Sequence, residues 1–383
     1  MARLAGRLRC LRPFALLVGF CLLLYLPGIV AIPPLDRDEA RFAQASRQML
    51  ETGDFLRIRF QDEARNRKPA GIYWLQAAAV AAFSTPQANA IWPYRLPSLL
   101  GATIAALLTF AFAAALLRGE PRPRLRALFA ALLLASALGV VAEAHIAKTD
   151  AALLAAVTAG QGALGLAYLR AREGRPVAGW IAVLFWAGEI AAIFLKGPPG
   201  PLLAIVTAAT LSIADREAGW LRGLRPLAGI AALIAAVAPW LIAIEGATSG
   251  RFLADSLGSD LFAKVLGGQE SHGAPPLSYM LMALATFWPG SLLLVPAGVR
   301  VWRRHDAPAE RFLLAWLVPG WILLELVPTK LPHYVLPLYP ALAMLTAAAL
   351  ADGTRPAAHW ARRLDLGVQA LWAAITIGLA AAL

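Results

Sequence analysis

Cysteine is almost missing from this chain: Cys10 and Cys21 are the only two in 383 residues, one in a basic N-terminal stretch and one inside an apolar run. Two thiols so placed supply neither a disulfide framework nor a thiolate metal cluster. Charge is scarce too, at 15% of residues against 59% apolar, a balance that excludes ordinary soluble domains. No GxxxxGK[ST] or GxGxxG element occurs, so a nucleotide is not expected as direct substrate. Internal repeats, low-complexity linkers and a soluble domain are absent as well.

What the chain does have is apolar runs of roughly the ~20 residues that cross a hydrocarbon core. Eleven are expected, near 13–32, 97–117, 126–142, 151–169, 177–195, 201–214, 226–244, 276–298, 312–327, 334–350 and 364–383. They predict an all-α polytopic membrane protein, with residues 1–383 forming one transmembrane domain. The N-terminal stretch has the basic flank and apolar run of a signal peptide. It lacks a small-x-small cleavage site, so it is expected to stay as the first helix, its start in the cytoplasm.

The net charge of +12 raises the question of nucleic acid, and its distribution answers it. In the eleven-helix arrangement the cytoplasmic segments hold 21 of the 35 Lys/Arg against eight acids, a net of +13, and all other residues sum to −1. The excess is therefore a positive-inside signal, and no nucleic-acid partner is expected.

Two longer outer segments are expected, residues 33–95 and 245–275. In the first, Pro33-Pro34-Leu35 ends the opening span, and Asp36-x-x-Glu39 reads as a capping box that starts a helix. Phe42, Ala45, Met49 and Leu50 recur at helical spacing, which predicts an amphipathic helix on the membrane surface. The apolar stretch Pro69–Phe83 reaches only ~22 Å at 1.5 Å per residue, short of a ~30 Å core. Counting it as a span would also invert every later loop, so it is expected to lie at the interface. The chain stops within a hydrophobic run at Ala381-Ala382-Leu383. Either it ends on its outer face or the sequence is truncated.

Ionisable residues gather at the expected outer boundary. Asp36 and Glu39 are explained equally by capping and by function. Asp38 gains from the helix dipole, yet a carboxylate on a membrane-bounded cavity is also a natural general base for a hydroxyl. Lys68 stands before Pro69 at a helix start, where a cation has the wrong sign unless an anion joins it; the alternative is a snorkelling lysine. Lys148 and Asp150 open the fourth span, Lys196 closes the fifth, and Lys330, His333 and Tyr334 lie between the ninth and tenth. Ionisable groups this close to hydrocarbon need partners. Glu189 falls two helical turns before Lys196, which suggests a structural ion pair, and Glu325 reads as a helix-end residue. His272, with Glu270 two residues away, is too little for a metal site.

The segment Asp36-Arg-Asp-Glu-Ala-Arg-Phe through Gly53-Asp54, with Arg67-Lys-Pro-Ala-Gly-Ile-Tyr-Trp-Leu75, Lys148-Thr-Asp150, Lys196-Gly-Pro198 and Thr329-Lys-Leu-Pro-His-Tyr-Val-Leu-Pro337, resembles in order and content the motifs of GT-C glycosyltransferases. These are the enzymes that use polyprenyl-phosphate sugars, among them the aminoarabinose transferase of lipid A and the protein O-mannosyltransferases. The resemblance implies transfer of a pentose or hexose, with inversion, to a hydroxyl or phosphate acceptor on lipid A, a glycan or a protein. It places the site on the periplasmic face of the inner membrane. By the same resemblance Asp38 is the base, Asp150 and Glu39 are further catalytic acids, and Lys68, Lys330, Tyr334 and Lys196 hold the donor phosphate. No cofactor is implied. Some relatives carry an acid before the Lys-Pro element and later-loop histidines that hold a metal. Here Arg67 and the lone His272 stand instead, so no metal is expected. The soluble domain that follows the last helices of many relatives is likewise not expected in residues 1–383.

Two other classes stay open: a lipid or solute transporter or flippase, which predicts repeats and interrupted helices at the midplane, and a non-catalytic scaffold that tolerates loss of both Asp38 and Asp150.

Overall fold

The structure is a computed structural model that describes the backbone of residues 2–34, 36–256, 258 and 273–381 and, from Leu11 on, their side chains. Fifteen α-helices of seven residues or more carry the described fold. They are α1 (Ala2–Tyr25), α2 (Arg37–Thr52), α3 (Gly71–Phe83), α4 (Trp92–Leu116), α5 (Pro123–Ser136), α6 (Leu138–Ala144), α7 (Asp150–Arg172) and α8 (Gly179–Lys196). There follow α9 (Pro199–Asp215), α10 (Pro226–Ala247), α11 (Ser278–Thr286), α12 (Leu294–Arg304), α13 (Pro308–Leu326), α14 (Tyr339–Ala351) and α15 (His359–Ala381).

The chain is a multi-span membrane protein. Among the described residues six segments are long and apolar enough to cross: α4, α7, α8, α10, Pro332–Ala351 and α15. Two bent pairs, α5 with α6 at 60° and α11 with Gly290–Arg304 at 118°, raise this to eight if each pair is one span. The expected eleven are not reached on length and composition. The run expected at 13–32 ends as a helix at Tyr25, because Pro27 and Gly28, the latter at φ 86°, turn the chain. The run at 201–214 gives the shorter apolar helix Pro199–Asp215, and α13 carries Glu310, Arg311 and Glu325 near its ends.

Helix α7 is the axis of the bundle, buried almost throughout, with α4 and α8 on its flanks. Its alanine- and glycine-rich surface lets backbones approach closely, which substitutes for the hydrophobic drive that lipid removes. At Gly101 of α4 an added Cβ would stand 2.6 Å from the Ala151 carbonyl oxygen, so only glycine fits beside the first turn of α7. Helix α15 buries almost nothing against the rest.

Helix α2 begins as its sequence predicts. The Asp36 side chain accepts from the Asp38 amide at 2.7 Å, and Gly53 closes the helix at φ 69°. Phe42, Ala45 and Met49 are buried, and Leu50 packs in a separate small cluster with Ala43, Val80 and Tyr94. What they meet is α3: Phe42 stacks on Tyr73 at 5.2 Å between centroids, and Ser46 donates to the Gln76 carboxamide at 2.6 Å. Helix α3 starts at Gly71, two residues later than Pro69, and remains a short apolar helix of 13 residues.

One element has no forerunner in the helical pattern. Arg59–Phe60 and Glu63–Ala64 pair as a small antiparallel hairpin. The Gln48 carboxamide of α2 holds it, donating to the Gln61 carbonyl at 2.9 Å and accepting from the Gln61 amide at 2.8 Å. A side chain thus stands in for a neighbouring strand.

Candidate active site

The helix polarities bring together residues far apart in sequence. Helix α7 begins at Asp150, α8 ends at Lys196, and the 3-10 turn Pro332–Leu338 enters α14, so these three ends meet at one end of the bundle. The Lys196 ammonium donates to Asp150 Oδ1 and lies 4.8 Å from the centre of the Tyr334 ring. His333 places Nε2 3.8 Å from Asp150 Oδ2 and Nδ1 3.5 Å from Glu143 Oε1. Lys148 Nζ completes the ring, 3.0 Å from Asp36 Oδ2 and 3.6 Å from Glu143 Oε1.

The loop that carries Lys148 is pinned on both sides. Ser98 of α4 donates to the Ile146 carbonyl at 2.6 Å and is 3.2 Å from that of Lys148. Gln76 of α3 donates to the Ala147 carbonyl at 3.1 Å. Burial works to lower the pKa of the Lys148 ammonium, but Glu143, Asp150 and Asp36 push it above its ordinary value. For Asp36, burial works to raise the carboxyl, while Lys148 and the Asp38 amide hold it below its usual value.

Glu39 goes elsewhere. It is 1% exposed, as is Arg95, which grips both carboxylate oxygens at 2.7 and 3.0 Å. Glu39 Oε1 also accepts from the Ala147 amide at 2.9 Å. The same guanidinium donates to the carbonyls of Ile29 at 2.8 Å and Ile32 at 2.7 Å. The capping-box partnership expected of Glu39 is therefore replaced by a clamp that joins the end of α1, α2, α4 and the Lys148 loop. A buried guanidinium needs a planar bidentate partner more than Asp36 needs a second cap. The sequence marks Arg95 by one signal only, a charge at the mouth of an apolar run.

Asp38 is more open than Asp36, Glu39 or Asp150, with its side chain 46% exposed, 3.5 Å from Arg41 and 3.9 Å from Arg65. Arg65 Nε also donates to the Tyr73 hydroxyl at 3.2 Å, tying the start of α2 to the first turn of α3. Lys68 lies half-buried three residues before Gly71. An added Cβ at Gly71 would stand 2.6 Å from the Phe194 carbonyl oxygen, so the Lys68 turn is pressed against α8 two residues from Lys196.

Two more residues that the sequence singles out lie apart from this cluster. Lys330 is not presented to this cluster: its ammonium donates to the carbonyls of Glu325 at 2.7 Å and Val327 at 2.9 Å, beside the Glu325 carboxylate at 3.5 Å. It caps the C-terminus of α13, where unpaired carbonyls attract a cation. Glu325 is accordingly a helix-end residue, and it accepts from the Tyr279 amide at 3.0 Å. Glu189 does not pair with Lys196. Seven residues rise about 10 Å along a helix, and Asp150 lies closer; Glu189 instead sits buried against Gly160 of α7. His272 lies outside the described residues, among which no three His, Cys, Asp or Glu group as metal ligands.

Beyond the ion cluster, a cavity of about 610 Å³ opens between the hairpin and the segment after α10. Arg57, Arg59, Glu63, Arg251 and Asp255 line it, and Asn66 spans it by donating to Asp255 at 2.9 Å.

No family model matches the chain. An undecaprenyl phosphate-alpha-4-amino-4-deoxy-L-arabinose arabinosyl transferase of Pseudomonas fluorescens Pf0-1 is 29% identical over 342 residues, 89% of this chain. A second, from Pseudomonas fluorescens Pf-5, is 31% identical over 321 residues. The chain is a homologue of these transferases. It spans 60% of the first relative's length and 55% of the second's. The fold agrees: a crystal structure of ArnT from Cupriavidus metallidurans bound to undecaprenyl phosphate superposes with a TM-score of 0.75 at 21% identity, over 94% of this chain and 63% of that one. The oligosaccharyltransferase of Archaeoglobus fulgidus follows at a TM-score of 0.57 and 13% identity, over 94% and 54%. The GT-C resemblance carried by five short motifs thus extends to the whole described fold.

Proposed function

We propose that this chain moves a sugar from a polyprenyl-phosphate donor to a hydroxyl or phosphate acceptor at the periplasmic face of the inner membrane. The relatives' aminopentose is the leading candidate for the sugar and lipid A for the acceptor. The observation that carries the proposal is the meeting of Asp150, Lys196 and Tyr334 from three separate helix ends, in a homologue of enzymes named for this transfer.

The chemistry asks little of the protein. The acceptor oxygen attacks the anomeric carbon as the bond to the phosphate oxygen breaks, with inversion, and the leaving polyprenyl phosphate keeps the bonding pair. Asp38, the accessible carboxylate, takes the acceptor proton. Lys196, beside Tyr334, and Lys68 offset the charge gathering on the phosphate, a fixed electrostatic contribution that needs no reorganisation. Asp150 holds Lys196 in place, and Glu39 acts through Arg95 to hold the loop that carries Lys148. Arg57, Arg59 and Arg251 face an anionic acceptor in the neighbouring cavity. Eleven spans with a cytoplasmic N-terminus require α1, α9 and α13 to cross beside the eight candidates.

The test is to incubate membranes containing the full chain with radiolabelled undecaprenyl-phosphate sugars and follow label into lipid, glycan and protein. Label should appear in an acceptor fraction and disappear with Asp38→Asn. Donor that crosses the bilayer unchanged would make the chain a flippase, and label that stays on the donor on its original side would sink both.

A further inference from the structure

The charges that meet at Asp150 do not balance. Asp36, Glu143 and Asp150 bring three carboxylates, while Lys148 and Lys196 bring two ammoniums. Lys196 is committed to Asp150, and Lys148 is hydrogen-bonded to Asp36. Glu143 is left over. It lies in α6, 6% exposed, and its Oε1 touches Lys148 and His333 only at 3.6 and 3.5 Å, the outer edge of a hydrogen bond. Its Oε2 is fully buried with no hydrogen-bond partner among the described residues.

A buried carboxylate oxygen in that state is costly; Oε2 of Glu189 and of Glu325 share it, and Glu143 differs from both in lying among the ion pairs that meet at Asp150, where an unmet acceptor has a use. The use must involve a group that donates hydrogen bonds and brings positive charge, since a hydroxyl would leave the excess negative charge unanswered. It must also arrive with the ligand, because the two ammoniums at hand are taken. The ring His333 adds to the case: its two nitrogens stand 3.5 and 3.8 Å from Glu143 and Asp150, so it spaces the two acids without bonding firmly to either.

We propose that Glu143 is the specificity-determining residue for the donor sugar, its spare oxygen accepting from a primary ammonium on the sugar ring. This rests on the transferase reading above and narrows it to amino sugars. The amine then forms a charge-assisted hydrogen bond in a dry site. A neutral N-acetylated sugar forfeits that bond and must fit an acyl group beside His333.

The experiment compares two donors, undecaprenyl-phosphate 4-amino-4-deoxyarabinose and its N-acetylated form, with full-length wild type, Glu143→Gln and Glu143→Asp in nanodiscs. Wild type should prefer the amine. Glu143→Gln should cut that preference in kcat/KM by about 10- to 100-fold, the worth of a hydrogen bond to a charged group, chiefly through KM. Glu143→Asp, which keeps the charge, should hold most of it. An unchanged preference in Glu143→Gln, or an equal fall with both donors, overturns the assignment and makes Glu143 structural. A wild type that uses neither donor overturns this inference, whereas the transferase reading falls only if the labelled-donor assay above also finds no sugar transferred.

Discussion

The two ends of the helix bundle use charged side chains in opposite ways. At the end where α4 and α14 finish, Arg126, Arg300 and Arg304 meet Glu120, Glu310 and Asp352, three guanidiniums to three carboxylates. Arg300 alone faces three acids, bonding to Asp352 at 2.6 Å and to Glu310 and lying 3.2 Å from Glu120, while Arg126 adds the Pro121 carbonyl at 2.7 Å and that of Ala348 at 3.0 Å. At the Asp150 end the cations are lysines, one fewer than the acids, and the buried atom left without a hydrogen bond among the described residues is a carboxylate oxygen of Glu143, where at the other end it is Nη2 of Arg300. Planar guanidinium forks fix several elements at once and suit a lattice. Two ammoniums against three carboxylates leave, on the proposal above, an acceptor for a ligand. One end holds the helices; the other, on the same proposal, meets the ligand.

The comparison breaks first if the proposed base is dispensable. Asp38→Asn should lower transfer by about 10²- to 10⁴-fold, the usual worth of general base catalysis, while membrane content and detergent melting temperature stay as in wild type. Full activity in the labelled-donor assay removes Asp38 from the chemistry.

Next in size is the opposite end. Arg300→Ala leaves Glu310, 1% exposed, and its neighbours without their shared cation. Removing one partner of a buried ion pair costs about 3–5 kcal/mol. The variant should melt well below wild type in detergent, yet any protein that folds should keep its donor KM. A shifted KM without a stability loss would mean that the Arg300 end also serves the ligand.

A smaller effect belongs to the donor cations. Lys68→Ala should raise donor KM by about 10-fold, as expected when one charge-assisted contact of about 1.4 kcal/mol is lost, with kcat less affected. Lys330→Ala provides the contrast, since its ammonium caps α13. Its cost should appear in melting temperature and leave donor KM alone, and a KM shift in Lys330→Ala would return that lysine to the phosphate.

How much of this was readable from sequence follows from the range of each signal. The Asp36 cap and the buried face of α2 are local, written within a few residues of each other, and both appear as expected. The motifs at Lys148, Lys196 and His333 marked which turns carry ionisable groups, and those turns do meet. Which acid each cation chooses depends on helices packing across the bundle, and there local reasoning failed. Lys196 selects Asp150 over Glu189, Glu39 selects Arg95 over the cap, and Lys330 turns back on its own helix. Glu143 was invisible because nothing near it in sequence reveals that its neighbours are already paired.

The smallest effect tests both ends together through pH. Asp36 at one end and Asp352 at the other are carboxyls whose burial works to raise them, yet each is held below its usual value, Asp36 by Lys148 and Asp352 by Arg126 and Arg300. A group lowered in the folded state contributes stability that is complete above its unfolded pKa, about 3.9 for aspartate, and is lost as pH falls through the folded value. The Lys148 ammonium, raised when folded, contributes fully below its unfolded value of about 10.4 and loses its part only as pH climbs beyond that. The melting-temperature differences of Asp36→Asn and Asp352→Asn from wild type should therefore both stay flat from about pH 5 to pH 9 and shrink together in stronger acid. If the Asp36→Asn difference drifts between pH 6 and 8 while that of Asp352→Asn does not, the Asp36 carboxyl is coupled to a neutral-range proton, and the Asp36–Lys148 pair is not the independent contact described for it.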